Sequence, residues 1–193
     1  MDMLMAGLVV FLGIHSTRVF AEPLRARWVA RLGEKPWKGL YALLSLVGFA
    51  LLVWGYGQAR QTPVVLWTPP RGMNHLAALL TLVSFVMLAA TYVPGNSIRS
   101  RLRHPMVLAV KVWAFAHLLS NGTLADVVLF GAFLAWSVAV FRACRQRDRA
   151  QATVYAPGTA GATWLTVGVG VVAWAVFAFW AHKKLIGVGP LGA

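Results

Sequence analysis

The sequence predicts an all-α polytopic membrane bundle with about six transmembrane helices. Three observations carry that expectation. Of 193 residues, 59% are hydrophobic and only 12% are charged, about half the charge of an ordinary soluble domain. The apolar residues fall in long blocks, and in lipid only helices or closed barrels satisfy their own backbone groups. The basic residues sit in the short segments between those blocks. The net charge of +13 is therefore read as positive-inside topology, and nucleic-acid binding is set aside. The chain is read as a single domain, 1–193.

Six spans follow in order. The first, Met3 to Ala21, lacks a basic n-region and a cleavage site, so it reads as a span and not as a signal peptide. The second runs Gly39 to Ala59, the third Asn74 to Val93, the fifth Leu124 to Phe141 and the sixth Trp164 to Ala181. The fourth, Pro105 to Leu119, is short against the roughly 20 residues a span needs. It starts at or before His104, with Pro105 accommodated in its first turn.

Between the second and third spans, the proline-rich segment Gln61–Gly72 cannot be regular helix and is placed at the outer interface. Pro94-Gly95-Asn96 reads as a turn ending the third span. Ser120-Asn121-Gly122 reads as a tight turn that makes spans four and five antiparallel neighbours. The segments after spans one, three and five hold twelve of the loop cations. Arg60, Arg71, Lys183 and Lys184 are the four on the other side. This imbalance places both termini outside and the segments after spans one, three and five in the cytoplasm. Trp and Tyr residues near span ends, Tyr41 among them, read as interfacial anchors.

Several chemistries are excluded. One cysteine, Cys144, permits no intramolecular disulfide and no cysteine cluster for a metal. There is no phosphate loop, no dinucleotide fingerprint and no nucleophile elbow. The acidic residues Asp2, Glu22, Glu34, Asp126 and Asp148 all lie near span ends. The chain therefore lacks the intramembrane carboxylate relay on which proton pumps and cation-coupled transporters lean.

The most informative stretch is Arg103 to Gly122, a span containing His104, Lys111 and His117. Ionisable groups at membrane depth are costly and are retained mainly for a purpose. At about 100° per residue, His117 shares a face with Ala114, Trp113, Val110 and Met106, while His104 and Lys111 lie together on another. His117 is either a ligand beside a small residue and an aromatic wall, or a polar contact near the Ser120–Gly122 turn. His104 reads as a helix-entry residue. Lys111 either snorkels to the interface or binds an acidic group of a ligand or lipid. In the first span, His15 sits among aliphatics with Arg18 one turn on. It either hydrogen-bonds a neighbouring helix or ligates the iron of a b-type haem, Arg18 then pairing with a propionate.

The blocks FLGIHS, RLGEKPWKGLY, VWGYGQAR and RHPMVLAVKVWAFAHLLSNGTLADVVLFG resemble the NnrU family of bacterial inner-membrane proteins over nearly the whole chain. That family takes its name from an association with nitrite and nitric oxide reduction. It is similar in turn to the 15-cis-ζ-carotene isomerase family of plants and cyanobacteria, whose members are membrane b-haem proteins. The resemblance of IHS and WAFAH to the isomerase ligand segments implies haem b, held by His15 and His117. Ala114 stands where the isomerases have a cysteine, which separates this chain from cysteine–histidine ligand exchange. Depth along the spans, at about 1.5 Å per residue, instead pairs His15 with His104, so His104 stays open as the alternative ligand.

The reading is thus a haem-binding membrane protein acting on a hydrophobic small molecule, or one supporting nitrogen-oxide reduction. The rivals are a haem-free scaffold or carrier and, more remotely, a membrane methyltransferase with an Arg-His-Pro entry.

Overall fold

The computed structural model describes residues 1–191, and the regular structure among them is helical. Nine α-helices follow one another among the described residues. They are α1 (Asp2–Phe20), α2 (Glu22–Leu32), α3 (Glu34–Ala59), α4 (Met73–Tyr92), α5 (Ser97–Leu102), α6 (Pro105–Ser120), α7 (Leu124–Ala150), α8 (Ala160–Val176) and α9 (His182–Ile186). A π-helical turn, Phe177–Ala181, joins α8 to α9 without a break.

Helices α1, α3, α4, α7 and the continuous rod Ala160–Ile186 are long and apolar enough to cross a membrane, and α6, with 16 residues, is the shorter sixth. The chain is therefore a multi-pass membrane protein. Its outer surface agrees, with Val9, Leu46, Val53, Leu79, Val172 and Phe179 all exposed, as lipid-facing side chains are.

Three elements depart from the expected loops, among them α7, which runs past the expected end at Phe141 to Ala150 and takes Arg142, Arg145, Arg147 and Arg149 into the helix. The basic segment after the first span folds as α2, because Pro23 sits in its first turn, where a missing N–H costs nothing. Gly33, at φ 87°, closes it, a conformation that glycine adopts without strain. As a result α3 begins five residues before the predicted Gly39. The short α5 also forms. Asn96 caps it by accepting from Arg99 N, and its amide donates to the carbonyls of Ala90 and Val93. The turn expected at Pro94–Asn96 is there, with Gly95 at φ 68°.

The helices gather into two compact units. The first is Met1–Leu66 with Thr123–Ala132, and the second is Trp67–Gly122 with the chain from Phe133 onward. In the first unit α1 and α3 pack antiparallel, joined through α2. Glycines set their spacing. A Cβ on Gly7 would lie 2.6 Å from Leu52 N, a Cβ on Gly48 would lie 2.7 Å from Phe11 N, and one on Gly55 would collide with the Leu4 backbone. Such close approach gives membrane helices the packing that hydrophobicity cannot supply in lipid. Leu4, Leu8 and Ile14 bury along the same seam.

The first turn of α7 closes this unit. Thr123 and Asp126 form a reciprocal box, with Thr123 N and Oγ1 both donating to Asp126 Oδ2 and Asp126 N donating to Thr123 Oγ1. The other carboxylate oxygen of the buried Asp126 accepts from Tyr56 Oη.

In the second unit α4 packs against α6 and α8. Small residues line the α4–α6 contact, with Ala77, Ala78, Ala109 and Ala116 all buried. Ser84 Oγ donates to the Ala109 carbonyl at 2.8 Å. Against α8, Gly170 lies close to the Val86 backbone, and Trp174 Nε1 donates to Thr81 Oγ1. Helices α6 and α7 run antiparallel, as their contacts 104–148, 111–141 and 113–133 require. This is the neighbour relation that the Ser120–Gly122 turn predicts.

Candidate functional site

His15 lies on α1 in the first unit and is half-buried. Its Nδ1 is 2.7 Å from the carbonyl of Phe11, one turn back. A carbonyl only accepts, so Nδ1 carries a proton, and in the neutral ring Nε2 is the basic nitrogen. The Phe11 ring stacks on the imidazole at 4.2 Å, and Tyr41 of α3 flanks it at 5.3 Å. Arg18 is exposed near the end of α1, reaching toward the interface as its length allows.

His117 lies on α6 in the second unit and repeats the arrangement. Its Nδ1 is 2.9 Å from the carbonyl of Trp113, so its Nε2 is likewise the basic nitrogen in the neutral ring. The Trp113 indole packs at 5.1 Å against the imidazole and meets Phe133 edge-on at 5.5 Å. Ala114 is fully buried. The predicted face is therefore uneven, since Met106 is exposed while Ala114 is enclosed. The seam to α4 takes the small side chains, and the stripe read from angles alone straddles two environments.

His104 is employed differently. It caps α6, and its Nε2 lies 2.9 Å from Asp148 Oδ2. Tyr155 Oη donates to the same oxygen at 3.1 Å. The imidazole meets Phe141 and Tyr155 edge-on, and the Arg103 guanidinium lies 5.7 Å from the Tyr155 ring centroid. Burial first, then the bond to Asp148, raises the Tyr155 phenol above its ordinary value. His104 thus turns Nε2 to the Asp148 carboxylate, whereas His15 and His117 turn Nδ1 to their own helices. Lys111 Nζ sits 5.9 Å from the Phe141 ring, a cation–π contact that holds the ammonium beside α7.

Three partners went unseen at the level of sequence. Tyr41 reads as an interfacial anchor, yet it flanks His15. The signal was available in the α1–α3 register, where glycines seven apart (Gly48 and Gly55) demand close antiparallel packing. Tyr155 and Asp148 carry no motif, because 44 residues separate Asp148 from His104. Among the described residues no group of three or more His, Cys, Asp or Glu side chains comes together. Any metal chemistry would therefore need few protein ligands, as haem does.

No curated protein and no solved structure matches the chain. A family model described as NnrU protein matches residues 3–190. The resemblance noted in the blocks from FLGIHS to VVLFG is thereby a membership: the chain belongs to the NnrU protein family.

Proposed function

We propose that this NnrU-family membrane protein binds haem b, with His15 and His117 as the axial ligands. The observation that carries the reading is shared by both residues. Each donates Nδ1–H to the carbonyl four residues back, which orients the ring so that Nε2 is the nitrogen that would ligate. Ligating histidines are held in this way in metalloproteins generally. Tyr41 and Trp113 wall the two imidazoles, and Arg18 would pair with a propionate. When bound, the haem supplies a redox-active iron, suited to electron transfer or to cis–trans isomerisation of a hydrophobic double bond. The protein resides in the bacterial inner membrane with both termini periplasmic, and its apolar substrate arrives from the bilayer. The family name favours a second reading, in which the same centre supports nitrite and nitric oxide reduction.

The absorption spectrum tests this. Protein purified after expression with ample haem shows a Soret band, which is lost in His15→Ala and His117→Ala and kept in His104→Ala. Monodisperse elution of each variant separates ligand loss from misfolding. A colourless wild type would overturn the proposal and leave a haem-free scaffold or carrier. Loss of the band in His104→Ala alone would reassign the ligand.

A further inference from the structure

We infer that residues 151–159 form a strap latched by Tyr155 over the His104–Asp148 pair, and that the strap opens while the helices beneath it stay folded. The inference is independent of the haem reading and concerns the second unit alone. The strap follows α7 and leads into α8. It is fastened at both ends. Thr153 N donates to the Asp148 carbonyl at 2.9 Å, and Thr159 N donates to the Gly95 carbonyl at 2.9 Å. Gly158 lies against the start of α5, where a Cβ would collide with the backbone of Asn96 and Ser97.

Between those fastenings the strap is held through one side chain. Among the described residues no backbone N–H from Val154 to Gly158 donates a hydrogen bond, and Val154 is 90% exposed. Tyr155 supplies the hold. Its Oη donates to Asp148 Oδ2 at 3.1 Å, the oxygen that His104 Nε2 meets at 2.9 Å. Its ring takes the Arg103 guanidinium and meets the His104 imidazole edge-on. A segment with few backbone bonds and exposed side chains belongs to the low-stability end of a fold. Its opening would uncover the side chains of His104 and Asp148, which are only 15% and 6% exposed beneath it.

Backbone strain favours the open state. Arg103 (φ 67°) and Ala152 (φ 47°) are the two non-glycine residues with positive φ among the described residues, and they flank the latch from its two sides. Arg103 has ψ −49°, and His104 N donates across it to the Leu102 carbonyl at 2.8 Å. This is the rare, strained form of the three-residue turn. Ala152 turns the chain out of α7 into the strap. Such conformations persist only where their surroundings over-determine them. Here the surroundings are the bonds that meet at Asp148, since His104 follows Arg103 directly and Tyr155 comes three residues after Ala152. Breaking the latch lets the backbone relax, so the closed strap is held with less than the full strength of its bonds.

Cys144 reports the opening. It is the one cysteine of the chain, buried on α7 one turn before Asp148 and within electrostatic reach of the Tyr155 phenol. The full chain in detergent is reacted with N-ethylmaleimide, and mass spectrometry follows the adduct. The wild type labels slowly, at a rate that urea below the unfolding transition leaves nearly unchanged, as a local opening does. Tyr155→Phe keeps the ring and labels about tenfold faster, the size expected of one hydrogen bond to a charged group. Ala152→Gly relieves the strain of the closed strap and labels about threefold more slowly. Arg149→Gln, which removes an exposed charge at the same helix end, labels as the wild type does. Equal rates for the wild type and Tyr155→Phe overturn the inference, as does faster labelling of Ala152→Gly. So does a wild-type rate that rises with urea as steeply as global unfolding, because Cys144 is then reached only when the helices unfold. An Arg149→Gln rate as high as that of Tyr155→Phe overturns it too, by reducing the effect to general loosening of the helix end.

Discussion

Gly48→Val should destabilise the first unit, and the size of the effect follows from the α1–α3 contact. A Cβ at Gly48 would sit 2.7 Å from Phe11 N, 2.9 Å from Phe11 Cα and 3.0 Å from Phe11 Cβ. Two of these atoms are backbone, so no rotamer change relieves the overlap. Ordinary contact begins near 3.4 Å, and α1 must retreat by most of an ångström at that level. The displaced residue is Phe11, whose carbonyl orients His15. Overpacking of a well-filled seam costs about 1–3 kcal/mol.

Gly57→Val on the same helix is the control, since nothing lies within 4 Å of its Cβ. Both substitutions bear the same change in helix propensity, so their difference isolates packing. At about 2–4 °C per kcal/mol for a chain of this size, Gly48→Val should unfold roughly 4–8 °C below Gly57→Val for a 2 kcal/mol loss. Thermal unfolding in detergent, followed by intrinsic tryptophan fluorescence, measures the gap. Coincident unfolding curves would refute the argument that glycine sets the helix spacing.

Two further outcomes are expected. Asp126→Ala removes the acceptor of Thr123 N, Thr123 Oγ1 and Tyr56 Oη together. It should cost about 1–3 kcal/mol in denaturant unfolding, with Tyr56→Phe costing less and the double variant falling short of the sum. Tyr155 has a folded-state value raised by burial, so its contribution to stability is fully present below about pH 10, the unfolded value. That contribution is lost as pH rises through the raised value. The unfolding temperature of the wild type should therefore fall more steeply above pH 10 than that of Tyr155→Phe. Parallel profiles would show that the phenol is not held neutral by its site.

Much of the architecture was legible because membrane physics writes it into composition. The apolar blocks placed six helices in order, but the fifth, read as ending at Phe141, runs on as α7 to Ala150. The proline-rich Gln61–Gly72 and the Pro94–Asn96 turn fell where backbone chemistry requires them. Helix α2 was missed because it carries four basic or acidic side chains in eleven residues and shows no long apolar run. A helix lying between two spans draws its stability from the chain ends it joins. The histidines were found as rare intramembrane residues, but their angular positions alone could not assign their roles.

The sequence by itself determined that this is an all-helical, multi-pass membrane protein of the NnrU family, with His15, His104 and His117 as its notable side chains. Length, hydropathy and residue order are local properties, and lipid leaves the backbone few alternatives. Only the tertiary structure decided which atom of each histidine is engaged. His15 and His117 turn Nδ1 to their own helix, whereas His104 turns Nε2 to Asp148, 44 residues away. Helical periodicity gives the direction in which a side chain leaves its helix. It does not say what waits there, because the partner comes from another helix whose approach is set by packing.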